Sequence, residues 1–158
     1  MSRLSAQSPS EAPSKERLRL WLRMLEATRF IEAKLRENFR REFNTTLPRF
    51  DVMAALFRFD DGLKMSEISG ALKVSNGNVT GIVDRLSNDG HLVREAVPGD
   101  RRASRVRLTK KGREEFARQA IAHERWINDL LGHFTAKEAG IIATDFSTLV
   151  ALQEDDNA

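Results

Sequence analysis

From Ser14 to Asn44 the sequence runs without a glycine or a proline, and no other stretch limits the available folds as much. Trp21, Leu25, Thr28, Leu35, Phe39 and Phe43, with Met24 and Ile31 beside them, recur at helical spacing as one apolar stripe. A helix of about 30 residues is roughly 45 Å long at 1.5 Å per residue. One small domain cannot cover that length, so the helix is expected to pack on a second subunit. Ser14 is its candidate N-cap. Residues 1–14, rich in Ser, Pro and Ala, read as a disordered arm.

Several function classes fall away on composition. The 158 residues suffice for one domain with a core of its own. There is no cysteine, which removes disulfides, thiolate metal sites and thiol-based peroxide sensing. His91, His123 and His133 stand at no metal-ligand spacing, so neither a metal nor a cofactor is expected. No recognisable nucleophile–base or carboxylate pair points to an enzyme. No apolar run nears the roughly 20 residues of a membrane span. The N-terminus lacks the apolar segment of a secretory signal. The expected location is the cytoplasm, with no membrane partner. The net charge of +3 is too small to decide on nucleic acid, so its distribution must.

After the long helix, Thr46 can cap a second one with Pro48 in its first turn, and Phe50, Val52, Met53, Leu56, Phe57 and Phe59 give it a buried face. Asp60-Asp61-Gly62 ends it. Ser66–Leu72 reads as a short helix, and Lys73-Val74 as a turn. Ser75 caps a helix that runs through Val79, Ile82, Val83 and Leu86 to a stop at Gly90. The period then changes to extended. His91–Ala96 and Ser104–Leu108 form a two-stranded hairpin, with Pro98-Gly99-Asp100 in the turn. Thr109 caps a helix to about Leu131, and Thr135 starts a last one with Ile141, Ile142, Phe146, Leu149 and Val150 inside. The fold class is mainly α with a small β-hairpin: a winged helix-turn-helix over 45–113, flanked by dimerisation helices at 15–44 and 114–158.

The helix after the turn starts with small and polar residues, Ser75, Asn76, Gly77, Asn78 and Thr80, whose amides and hydroxyls suit base edges. Arg85 lies outward, within reach of a phosphate. Gly77 and Gly81 each cost about 1 kcal/mol against Ala in a helix, which implies close approach to either a groove or the preceding helix. The hairpin tip carries Arg101, Arg102 and Arg105, a side chain suited to the narrow, electronegative minor groove. Asp100 is expected to support the wing by pairing with the Arg102 guanidinium. Lys110, Lys111 and Arg113 oppose the next helix dipole and make more sense beside phosphate.

Met65-Ser66-Glu67-Ile68, Ala71-Leu72, Val74-Ser75, Val79-Thr80, Val83-Asp84-Arg85-Leu86, Gly90-His91-Leu92-Val93, Asp100-Arg101-Arg102 and Leu108-Thr109 with Gly112 together resemble the MarR family of winged-helix regulators. The resemblance implies a homodimer whose first and last helices interlock, recognition helices in successive major grooves of double-stranded DNA, and Arg102 in the minor groove. Asn76-Gly77-Asn78 departs from the bulkier or charged residues of many relatives. The family resemblance also implies a small-molecule effector. The stretch Arg17–Leu25 followed by Thr28–Glu32 looks like the subset tied to aromatic acids or hydroxycinnamoyl-coenzyme A thioesters. Candidate ligand residues are Trp21, Arg29, Phe30, Arg36 and Arg40. Equally open is that the aromatics are dimer core and that Arg36 and Arg40 pair with Glu32 or Glu37. The expected function is a repressor released from a palindromic operator by such an effector. The alternative is a winged-helix protein-interaction module.

Overall fold

The computed structural model describes residues 12–72 and 76–156. In chain order these form α1 (Pro13–Phe43), α2 (Leu47–Phe57), β1 (Leu63–Lys64), α3 (Met65–Leu72), α4 (Asn76–Asn88), β2 (Leu92–Val97), β3 (Asp100–Leu108), α5 (Lys110–Leu130) and α6 (Ala136–Asp156). The chain divides into two units, Met1–Leu47 and Pro48–Ala158.

The first unit is built on α1. It starts at Pro13, with Ala12 at the cap position making no side-chain bond. Ser14 is therefore not the N-cap, and Pro13 and Ser14 belong to the helix rather than to an arm. Proline explains the early start, because its fixed φ suits the first helical position, where an N–H would have no partner. The helix stops where Asn44 turns left-handed at φ 49, with its N–H and that of Thr45 bonded back to the Arg40 and Phe39 carbonyls. Leu35 and Phe39 are buried, Met24, Leu25 and Ile31 are half-buried, and Trp21 is 52% exposed. The apolar stripe is thus covered toward its C-terminal end and open toward its start.

In the second unit Val52, Met53 and Leu56 of α2, Ile68 of α3, Val79 and Val83 of α4 and Val106 of β3 are fully buried. Phe50 stacks on Phe116 and lies tilted against His123, whose imidazole is pushed below its ordinary pKa by burial. Phe57 and Phe59 are exposed, although the Phe57 ring meets the buried Phe116 ring with centroids 4.7 Å apart. The helix ends at Phe57, so Phe59 lies beyond the period that would have turned it inward.

The sheet has three strands, not two, in the order β1-β3-β2 and antiparallel throughout. Leu63 and Lys64 pair with Val106 and Arg105. The chain enters β1 through Gly62 at φ 85, where a Cβ would lie 2.5 Å from the Val106 carbonyl oxygen. Only glycine fits that corner.

Helix α5 is capped by the Thr109 hydroxyl, which accepts from the Gly112 N–H at 3.0 Å. Helix α6 opens with a reciprocal capping box: the Thr135 hydroxyl accepts from the Glu138 N–H, and the Glu138 carboxylate accepts from the Thr135 N–H. No residue of α6 is buried, and Ile141, Leu149 and Val150 are each more than half exposed. Their expected place inside is not met within one chain. Helical periodicity marks a face that needs cover without saying which molecule supplies it.

Candidate nucleic-acid interface

Helices α3 and α4 form the helix-turn-helix, and β2–β3 follow as the wing. Val79, Val83 and Leu86 hold α4 down on one side, which leaves Asn78, Thr80, Gly81, Asp84 and Arg85 on its exposed side. Ser75 lies outside the described residues, and of Asn76 and Gly77 only the helical backbone is described. The helix ends as the sequence implies. Gly90 sits at φ 79, its N–H on the Ser87 carbonyl and that of His91 on the Leu86 carbonyl. These two bonds are a Schellman stop.

A Cβ added at Gly81 would meet nothing within 4 Å. Close approach to the preceding helix is thereby ruled out for this glycine.

The wing turn is shorter than expected. Pro98 and Gly99 are its two central residues, with Gly99 at φ 83, as a type II turn demands of its second position. Asp100 already belongs to β3, opposite Val97. Ala96 faces Ser104, so Arg101, Arg102 and Ala103 have no partners on β2 and bulge from the strand. Asp100 fixes this bulge in a way the sequence reading missed. Its carboxylate accepts from the Arg102 backbone N–H at 3.0 Å, not from the guanidinium. An aspartate two residues ahead reaches that N–H with little rotamer freedom lost, whereas the long arginine side chain would have to fold back.

Two wing arginines are held internally. Arg94 of β2 meets Asp84 of α4 at 2.5 Å, and Arg107 meets Glu95 across the hairpin at 2.7 Å. The hydrogen bond from Arg107 holds the Glu95 carboxyl below the usual carboxylate range. Arg101, Arg102 and Arg105 are exposed and make no ion pair among the described residues. The Asp84–Arg94 pair was missed from sequence; its signal was two opposite charges on consecutive elements.

Lys111 and Arg113 each have a partner within the protein. Lys111 donates to the Asp89 carbonyl at 2.7 Å. Arg113 pairs with Asp60 at 2.6 Å and lies 5.5 Å from the Phe57 ring centroid. Both cations thus tie the start of α5 to the chain that follows α4 and α2, through the Asp89 carbonyl and the Asp60 carboxylate.

The candidate effector residues Trp21, Arg29, Phe30, Arg36 and Arg40 are all exposed on α1. One helix does not gather them: at 1.5 Å per residue, Trp21 and Arg40 are about 28 Å apart. Arg29, Arg36 and Arg40, seven and then four residues apart, share one side of it. Arg36 contacts Glu32 at 3.2 Å, while Glu37 faces Lys34 instead.

The MarR family model matches residues 43–103, the second helix through to the wing bulge. A MarR family transcriptional regulator from Silicibacter pomeroyi superimposes with a TM-score of 0.75 at 31% identity, over 92% of this chain and 99% of that one. The chain belongs to the MarR family. Another MarR structure, Sco3205 from Streptomyces coelicolor in complex with DNA, shares the fold with a TM-score of 0.76 at 23% identity, over 92% and 91% of the two chains. Among curated relatives, the Bacillus subtilis regulator YkoM is 36% identical over 83 residues, 52% of either protein. The chain spans about half the length of that relative.

Proposed function

We propose that this MarR family protein is a homodimeric transcriptional regulator that binds palindromic double-stranded DNA and represses until an aromatic acid or aromatic acyl-coenzyme A releases it. The observation that carries the DNA reading is a contrast within the wing. Arg94 and Arg107 are held by acids of the protein, whereas Arg101, Arg102 and Arg105 stand exposed on the wing that follows α4. Arginine without an ion-pair partner among the described residues suits phosphates, and the exposed Asn78 and Thr80 of α4 suit base edges. Sco3205, a fold relative, was solved on DNA. The homodimer is supported by α6, on which no residue is buried and Ile141, Leu149 and Val150 are each more than half exposed.

The test is a salt-titrated binding measurement on the duplex upstream of the protein's own gene and on a random duplex of equal length. Affinity is expected to fall linearly in log–log form as salt rises, and the upstream duplex to be preferred by at least about 10³. Its footprint should cover two half-sites about 34–36 Å apart. Salt-insensitive or absent binding would favour the protein-interaction module.

The effector reading rests on Arg29, Arg36 and Arg40 on one side of α1, a row of charge that suits a carboxylate or phosphate. Isothermal calorimetry with aromatic acids and their thioesters is expected to show binding that weakens in Arg36→Ala and Arg40→Ala. Silence from every compound would remove the effector class and leave the DNA reading standing.

A further inference from the structure

Gly81 occupies the middle of the exposed side of α4. At 3.6 residues per turn, Asn78 and Arg85 flank it on one side, within about 60°, and Asp84 on the other. The backbone there is ordinary helix, since the positive φ values belong to Gly62, Gly90 and Gly99. Among the described residues nothing needs the missing side chain to be absent, because a Cβ would meet nothing within 4 Å. A helix-interior glycine is less stable than alanine, so this position carries a cost with no return in the described fold.

We infer that Gly81 is a specificity-determining residue: its bare backbone lets α4 sit deeper in the major groove, bringing Asn78 and Arg85 to the base edges. This rests on the DNA reading above and adds to it the reason for the flat helix face. Seated this way, the helix makes its base contacts with few side chains. Asn78 can meet an adenine through its amide, and the nearest cation on the helix face is Arg85. A side chain at 81 would act as a spacer, lifting the whole helix from the groove floor while leaving phosphate contacts by the flexible wing arginines in reach.

The experiment compares the full-length protein with Gly81→Ala and Gly81→Leu, reading thermal melting and affinity for the upstream and random duplexes. Gly81→Ala is expected to melt about 2–4 °C higher, as relief of a helix glycine predicts. It is also expected to lose tenfold or more in affinity for the upstream duplex and under threefold for the random one, where phosphates dominate. Gly81→Leu should lose more on the upstream duplex. A Gly81→Ala protein that keeps wild-type preference overturns the inference while leaving the DNA reading intact. A Gly81→Ala protein that melts lower shows the space is used within the protein, which also overturns it. A wild type without preference for either duplex overturns both.

Discussion

Replacing Arg101 and Arg102 together with alanine is expected to weaken binding to the upstream duplex more than 100-fold, or about 3 kcal/mol. The two side chains rise from a bulge whose residues have no partners on β2. Neither makes an ion pair among the described residues, so the folded protein loses little when they are cut back. The Asp100 carboxylate accepts from the backbone N–H of residue 102, which alanine retains, so the bulge itself survives. Removing two phosphate or groove contacts should also flatten the salt dependence, by about 0.9 in slope per phosphate lost. Melting temperature and secondary structure should stay at wild-type values. A double variant with unchanged affinity and slope would mean that the wing does not touch the duplex. Arg107→Ala would serve poorly here, because it frees Glu95 and so adds an unpaired negative charge to the wing.

Much of this interface could be read from residues in order. Gly90 as the stop of α4, Thr109 as the cap of α5 and Thr135 as the start of α6 are local signals, decided by a few neighbouring backbone groups. What escaped was non-local or ambiguous in charge. Strand β1 is two residues long, too short for an alternating pattern, and exists because Val106 and Arg105 offer it a ladder. The wing bulge depends on how β2 and β3 register, which composition does not encode. Asp100, Lys111 and Arg113 carried charge that fitted several partners equally well. A backbone N–H, a helix-end carbonyl and Asp60 took them because they lay closest. The apolar stripes of α1 and α6 were legible as stripes, yet a stripe covered by a neighbouring subunit looks the same in sequence as one covered by its own core.

Gly112→Ala is expected to cost about 3 kcal/mol, the upper end for forcing extra atoms into a packed site. A Cβ at this position would stand 2.0 Å from the His91 carbonyl oxygen and 2.9 Å from its carbonyl carbon, so the collision is with main chain, which no rotamer change relieves. The segment it strikes is the hinge between α4 and the wing, and it is held from three sides. The Thr109 N–H donates to the His91 carbonyl at 3.0 Å, the Thr109 hydroxyl donates to the Gly90 carbonyl at 2.7 Å, and the Lys111 ammonium donates to the Asp89 carbonyl. To admit one methyl group, α5 must move off this segment and give up those bonds, or carry α4 and the wing with it. Urea unfolding should show a lowered midpoint with little change in slope. DNA affinity measured well below that midpoint should fall too, because the same contact sets the angle between α4 and the wing arginines. The comparison with Gly81→Ala sharpens the test, since the identical change on α4, where an added Cβ meets nothing within 4 Å, is expected to raise stability. Alanine at Gly112 that leaves the midpoint where it was would show that α5 does not press on the His91 backbone through this glycine.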